Sequence, residues 1–269
     1  MERHSKTVGP ARRAVARGVV VGASLALALV SGLVAQVRAA GPAGDAEKLI
    51  DRYIEAAGGK AAHEAYRSGI TKMTLTLPAQ DITLNMTLCQ ARPNRVYTLL
   101  ESAVTGKIES GVNGEVAWEL SAMTGPRLKE GQEKADALRD AIFDPWTRWR
   151  DIYDKAELAG VDTVGGKPSD KVVLTLKTGK TRTVYFDRAS GLIQRVDLTI
   201  DNPAGTIPVQ SLLGDYRKEG GLLMPHRTEI TAMGQKRVMV VDSVAVNADI
   251  PAERFDPPAE VRKLMEPKK

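Results

Sequence analysis

The strongest constraint in this sequence is a two-residue alternation of apolar and polar side chains. Residues 72–91, KMTLTLPAQDITLNMTLCQA, place Met73, Leu75 and Leu77 on one side of an extended chain and threonines on the other. After a turn at 78–80 the same pattern repeats, with Ile82, Leu84, Met86 and Leu88 as the apolar positions. A period of two predicts half-buried β-strands.

Comparable segments recur to Val246, with turn signals every 8 to 12 residues, a spacing typical of a meandering antiparallel sheet. Asn113-Gly114, between two such segments, is a strong signal for a two-residue hairpin. We expect about ten strands in a single domain. A sheet of that size must curl, so the sequence predicts a mainly β (α+β) fold, a half-open β-barrel with two or three helices covering its concave apolar face.

Three segments have helical periodicity. Asp45–Ala57 has one apolar face and stops at Gly58-Gly59, and a short helix is expected at Lys60–Tyr66. A longer helix is predicted from Glu130 to Asp154, with Asp144 as an internal N-cap and Pro145 in the first turn after it. Two interpretations of this helix stay open, a core-facing helix and a movable lid, because its apolar face carries three aromatic residues, Trp146, Trp149 and Tyr153.

The N-terminus has the pattern of a secretory signal peptide. Five basic residues precede the uncharged apolar run at 18–35, and small residues end at Ala39. We therefore predict a signal peptide at 1–39, cleavage before Ala40, a mature domain at 40–269 and a periplasmic location. The run is about 18 residues long, so an uncleaved anchor is the alternative.

Charge argues against nucleic acid as a partner. The whole chain carries +5, and residues 1–39 hold six basic residues and one acid, which leaves the predicted mature chain neutral. A basic stripe on the folded domain, which nucleic-acid binding needs, is therefore not expected. The single cysteine, Cys89, allows no internal disulfide and is expected to be a small buried hydrophobe.

Motifs for catalysis are absent from the sequence. His63 and His226 are the only histidines of the predicted mature chain, and neither belongs to a metal-binding or nucleophile motif. His226 is expected to be a strand residue with an ordinary partner. We expect no metal, no cofactor and no catalytic residue, although catalytic groups need only meet in space.

Several phrases together resemble the LolA/LolB-like superfamily, and in particular its outer membrane lipoprotein-sorting branch. They are ARPNRVYTLLE at 91–101, VNGEVAWEL at 112–120, VYFDRASGLIQRVDL at 184–198, LGDYRKEGGLLMPHRTEI at 213–230 and FDPP at 255–258. The likeness covers residues 45–258, and it lies in the order and spacing of these strand and turn patterns.

The resemblance implies a monomeric carrier that shelters the acyl chains of a lipid or lipoprotein and exchanges them with transient membrane-protein donors and acceptors. Methionines such as Met123 would suit an adaptable cavity, and Arg95 is the candidate for the strand arginine of the family. A non-enzymatic envelope sensor of the same fold, regulating an anti-sigma system, is the alternative. The expected cavity residues are Met73, Leu75, Leu77, Leu84, Met86, Leu88, Trp118, Phe143, Trp146 and Trp149.

Overall fold

The computed structural model describes residues 43–103, 106–202 and 205–266. The predicted signal peptide at 1–39 lies outside these residues, so its cleavage stays a prediction. No helix in the described ranges is long and apolar enough to cross a membrane.

One antiparallel sheet contains every strand of the described residues, thirteen in all. Each strand pairs with its neighbours in sequence, except that β6 does not pair with β7 and β1 also pairs with β13. The edge strands β6 and β7 have one partner each within the described chain. The bounds are β1 Ser68–Leu77, β2 Ile82–Ala91, β3 Arg95–Ser102, β4 Gly106–Asn113, β5 Val116–Ser121, β6 Gly125–Leu128, β7 Tyr153–Val164, β8 Lys167–Leu176, β9 Thr181–Asp187, β10 Ile193–Asn202, β11 Gly205–Glu219, β12 Leu222–Ala232 and β13 Gln235–Val246.

Five short helices accompany the sheet. They are α1 Ala43–Ala56, α2 Gly59–Ala65, α3 Gly131–Asp140, α4 Trp149–Ile152 and α5 Ala259–Arg262. The first two agree with the helices expected from the sequence, and Gly58, with a φ of 136°, separates them in a conformation that only glycine adopts readily. Single 3-10 turns lie at Pro78–Gln80, Ala252–Phe255 and Lys263–Met265.

The sheet curls strongly toward one face, as an ion pair across it demonstrates. Helix α3 packs on β3, β4 and β5 through Val96, Val112 and Ala117. At the end of the same helix Asp140 accepts a hydrogen bond from Arg182 of β9 at 3.1 Å. In a flat sheet β4 and β9 would lie roughly 38 Å apart, at eight strand spacings. A ten-residue helix bridges them only because the strands bend toward it.

Strand register identifies the side chains on this concave face. Directly paired residues share a face, so Met73, Met86, Leu100 and Ile108 line up across β1 to β4. Residues one position along each strand point to the other, outer face. The sequence prediction of a mainly β, single curled sheet is therefore confirmed. Its estimate of about ten strands was low.

The main core lies where α1 and α4 cover the concave face of β7 to β10. Ile50 and Tyr53 of α1 pack there against Val172, Leu174 and Phe186. Alternate residues of each strand contribute, because successive side chains of a strand point to opposite faces of the sheet.

A second core lies on the outer face of β2 to β5, under the C-terminal segment. Phe255 and Val261 are fully buried there against Cys89, Tyr97 and Trp118. Gly111 opposes Trp118 in the sheet, and a Cβ at Gly111 would lie 2.7 Å from the indole ring. The absence of a side chain at Gly111 is therefore what lets the ring lie flat on β4. Cys89 is free and buried, as its apolar context predicts.

The predicted helix from Glu130 to Asp154 does not form as one element. Helix α3 ends at Asp140, residues 141–148 form turns, and α4 is a single helical turn before Tyr153 opens β7. Asp144 is not an N-cap, because its φ is 52°, in the left-handed region. Its carboxylate binds a distant histidine instead of the helix amides. The prediction that Trp146, Trp149 and Tyr153 share one helix face was therefore wrong.

Candidate functional site

The middle of the concave face is a strip of half-buried apolar side chains between two walls that helices cover. One wall is β7–β10 under α1 and α4, and the other is β3–β5 under α3. Between them, β2, β1 and β13 contribute Met86, Leu88, Leu75, Met239 and Val241, all partly exposed, in continuous register. We call these residues, with Met73 and Leu84, the central strip. Apolar side chains in this position are available to a ligand.

Six of the predicted cavity residues lie on this one face. Met73, Leu75 and Leu77 of β1 oppose Met86, Leu84 and Ile82 of β2, and Leu88 extends the row. Met73 and Leu84 are buried, whereas Leu75, Leu77, Met86 and Leu88 are partly exposed. The alternation in the sequence thus groups these side chains as expected.

The aromatic members of the predicted set lie elsewhere. Trp118 points to the outer face, where it is 1% exposed beneath the C-terminal segment. Trp149 is 5% exposed in the α1 core, with the Arg150 guanidinium 4.3 Å from its ring. Trp146 packs edge-on to Tyr53, with ring centroids 5.2 Å apart. Trp118 and Trp149 are therefore core residues, whereas Trp146 is partly exposed.

Phe143 and two further candidates also differ from expectation. Phe143 is buried against Tyr66, with ring centroids 4.8 Å apart, near the Arg92 guanidinium. Met123 lies in the β5–β6 turn and is 78% exposed. Arg95 stacks over Phe255 on the outer face, which removes it from the concave side.

Sequence reasoning missed the contribution of β13 to the strip and the position of β12 beside it. Met239 opposes Leu75, Val241 opposes Met73, and Ile230 of β12 opposes Arg237 of β13. The alternation in residues 236–246 was visible. Its pairing with β1 closes a loop of about 170 residues, and no local signal specifies that contact.

Helix α3 lies over the hollow and is held weakly. None of its residues is buried, and only Ala137 and Leu138 pack against the sheet. Its other contacts with the sheet are ion pairs. The Arg127 guanidinium lies 2.7 Å from the Glu133 carboxylate, and Arg182 pairs with the Asp140 carboxylate. Hydrogen bonds from Arg127 hold the pKa of Glu133 below its usual range. Between the end of α3 and β8–β10 lies a cavity of about 230 Å³, which includes Leu176, Leu198 and Ile200 in its lining.

The segment that follows α3 is held by a buried polar network. His63 Nδ1 of α2 donates to Asp144 Oδ1 at 3.0 Å, and these side chains are 7% and 5% exposed. Arg92 lies 3.8 Å from the same carboxylate and donates to the backbone oxygens of His63 and Tyr66. Thr147 donates to Asp144 Oδ2 at 2.9 Å. A buried carboxylate with this many partners fixes the 141–148 turn to α2 and to the β2–β3 turn.

Burial also changes the acidity of tyrosines around this turn. It raises the pKa of Tyr53 and of Tyr66 above the usual value, and the negative charge of Asp144 acts in the same direction. Both phenols therefore stay neutral at physiological pH, and their rings act as apolar packing surfaces with a polar edge.

The second buried histidine lies beside a carboxylate. His226 Nε2 of β12 lies 3.1 Å from Glu219 Oε1, which fits the expectation of a strand residue with an ordinary partner. Among the described residues, His, Cys, Asp and Glu form no cluster of three or more that could hold a metal ion.

No protein-family model and no curated protein sequence matches this chain. Its fold is nevertheless similar to solved structures. A DUF1329 family protein from Desulfovibrio piger is 13% identical with a TM-score of 0.56, and a domain assigned to outer membrane lipoprotein sorting from Vibrio parahaemolyticus is 14% identical with a TM-score of 0.55. A LolA superfamily protein from Nitrosomonas europaea is 13% identical with a TM-score of 0.54. Each alignment covers 78% of this chain and 97% of the other. The chain therefore has a LolA-like fold, as the resemblance in sequence had indicated.

Proposed function

We propose that this protein is a periplasmic carrier that binds the acyl chains of a lipid or lipoprotein on the central strip. The observation that carries the proposal is the strip itself, a continuous row of apolar side chains, most of them partly exposed, on the concave face between two helix-covered walls. The LolA-like fold supports the same ligand class. Transient membrane-protein donors and acceptors follow from that role.

The energetics of acyl binding favour a strip that is covered when empty. Each methylene removed from water contributes about 0.8 kcal/mol, so two acyl chains supply far more than the affinity a carrier needs. An uncovered strip would be a sticky surface. The cavity of about 230 Å³ beneath α3 is smaller than the roughly 300–1,000 Å³ of ordinary ligand pockets. Its lining includes no residue of the central strip, so cargo on the strip would fill this cavity only if α3 moved.

Helix α3 is the element best suited to move. Releasing Ala137 and Leu138 to water costs about 2–4 kcal/mol, and each exposed ion pair adds at most about 1 kcal/mol. Together these costs come to about 2–6 kcal/mol, which leaves an open state populated at roughly 0.004–3% before cargo binds. Native-state hydrogen exchange should therefore show amides of α3 exchanging much faster than those of α1, whose Ile50 and Tyr53 are in the main core. Equal protection of the two helices would exclude α3 as the lid.

The first test of the carrier role is direct identification of cargo. The protein is purified from its own cell envelope, weighed by native mass spectrometry and extracted with solvent. We expect bound lipid or lipoprotein. A chain that begins at or near Ala40 would also support export with cleavage of the signal peptide, whereas an intact Met1 in the membrane fraction would indicate an anchor. A native complex with another protein and no lipid would favour the sensor role instead.

The second test places a charge in the strip. Met86→Asp puts a carboxylate where acyl chains would lie, and uptake of a lipopeptide should weaken at least tenfold. The control is Thr83→Asp, at an exposed position on the outer face of the same strand, which should bind as the natural protein does. A folded Met86→Asp protein with undiminished uptake would remove the strip from the site. Loss of the fold in this variant would mean that Met86 is dry core.

A further inference from the structure

Arg237 is the one charged residue among the side chains of β13 that point to the concave face. It has no hydrogen-bond or ion-pair partner in the described chain. It lies on β13, in phase with Met239 and Val241, and opposes Ile230 of β12. Its Nε atom is buried without a hydrogen-bond acceptor. The neighbouring charges on β12 and β13 are on the outer face, where Glu229 pairs with Arg227 and Lys236.

A buried guanidinium nitrogen without an acceptor is costly. Leaving such a donor unpaired costs about 1–3 kcal/mol, more when the group is charged. An apolar residue of similar length would fit a position between Ile230 and Met239 without that cost. The position is therefore one where a ligand, not the protein, is expected to supply the acceptor.

Arg237 lies next to the hairpin turn at one end of the strip. Gly234 turns β12 into β13 three residues earlier, and Gln235 accepts a hydrogen bond from Gln80 of the β1–β2 turn at 3.1 Å. Partly or fully exposed apolar residues of the same end include Ile200 and Met233. A ligand lying along the central strip toward this end would bring its head to the guanidinium.

We propose that Arg237 binds the anionic headgroup of an acyl lipid whose chains lie on the central strip. This assignment rests on the proposed carrier function and names its ligand class. Guanidinium groups hold phosphate and carboxylate oxygens with paired hydrogen bonds, so either oxyanion meets the chemistry. The apolar surroundings strengthen such a pair because water screens it less.

The experiment compares lipids that differ only in the head. Dissociation constants are measured by titration calorimetry for dioctanoyl phosphatidylglycerol, for dioctanoylglycerol, which has the same chains and no charge, and for octadecanoate. The natural protein should bind phosphatidylglycerol roughly ten- to a hundredfold more tightly than the neutral lipid. Octadecanoate distinguishes a general oxyanion site, which also holds the carboxylate, from one selective for phosphate.

Two variants assign the preference to Arg237. Arg237→Met keeps an unbranched stem and should abolish the preference for the charged head while leaving neutral-lipid binding unchanged. Lys236→Met removes the same charge from the outer face and should keep the preference. Because Arg237 has no described partner to lose, the thermal midpoint of Arg237→Met should equal or exceed that of the natural protein.

The outcomes separate this inference from the carrier role. If neither dioctanoyl lipid binds, the proposed function itself fails. If both lipids bind the natural protein equally, or if the preference persists in Arg237→Met, the strip binds lipid but Arg237 does not bind the headgroup. An Arg237→Met protein that cannot fold would show that the guanidinium supports the structure, which also overturns the assignment.

Discussion

Replacing Trp149 by alanine tests whether the aromatic segment after α3 is permanent core. The side chain is 5% exposed, and it packs in the cluster formed by α1 and the concave face of β7–β10. An aromatic residue of this kind buries about 150–250 Å². At roughly 25 cal/mol per Å², that burial contributes about 4–6 kcal/mol, of which alanine keeps a small part. We expect Trp149→Ala to lower the free energy of unfolding by about 3–5 kcal/mol.

Trp149→Phe is the matched control for this variant. The indole Nε1 is buried and has no acceptor among the described residues, so phenylalanine removes an unpaired donor along with part of the ring. Phenylalanine also keeps a face for the Arg150 guanidinium. The loss should stay within about 1.5 kcal/mol. Trp146, half-buried beside Tyr53, should give an intermediate loss when changed to alanine.

Urea unfolding followed by far-UV circular dichroism measures these differences. A shift in midpoint with an unchanged slope reports a change in stability alone. The described domain is expected to have a total stability of about 5–15 kcal/mol, so the Trp149→Ala shift should be large. A Trp149→Ala protein within 1 kcal/mol of the natural one would refute a core role. It would restore the alternative that this ring moves with cargo.

Three further predictions concern the network, the outer core and the tyrosines. Asp144→Ala should lower the thermal midpoint by the equivalent of about 3–5 kcal/mol, because it leaves His63 unpaired, while Asp144→Asn, which tolerates the φ of 52°, should cost less; equal losses would contradict this. Gly111→Ala should cost about 1–3 kcal/mol and change Trp118 fluorescence, and an unchanged midpoint would show that the contact relaxes freely. Burial raises the pKa of Tyr97 to about 12, and it also raises the pKa values of the four tyrosines at 53, 66, 185 and 216. Because the unfolded chain loses these protons first, urea midpoints should fall as pH rises from 10 to 12. A flat profile of midpoint against pH would contradict this prediction.

Local alternation explains why the strands could be predicted. Side chains in 72–91 change face at every residue, so Met73 and Leu75 had to share a side whatever the partners were. Asn113-Gly114 correctly marked a hairpin, but its register was not predicted: Asn113 is the last residue of β4 and pairs with Val116, so the two turn residues are Gly114 and Glu115. The short strand β6 was missed because Gly125 and Pro126 make up half of its four residues.

Contacts between distant segments explain what could not be predicted. Asp144 and Pro145 together are good helix-start signals, but the Asp144 carboxylate is hydrogen-bonded to the buried His63 instead of capping a helix. The face of Trp118 depends on four successive registers from β1 to β5. These registers together place the Trp118 ring on the outer face with Cys89, and not on the concave face with Met86.

Helices α1 and α3, which cover the concave face, differ in how much free energy it costs to lift them, and this difference decides how a ligand can enter. Helix α1 buries Ala46, Ile50 and Tyr53 nearly completely, so lifting it would expose the main core at a cost far above that for α3. The 141–148 turn is fixed by the buried Asp144, and the strands are joined by continuous hydrogen-bonded ladders. Helix α3 alone combines a position over the hollow with polar contacts and two partly buried apolar residues. In the proposed carrier, a ligand that enters the central strip would therefore displace α3 at its Arg182 and Arg127 contacts, while the aromatic segment beyond it would remain part of the core.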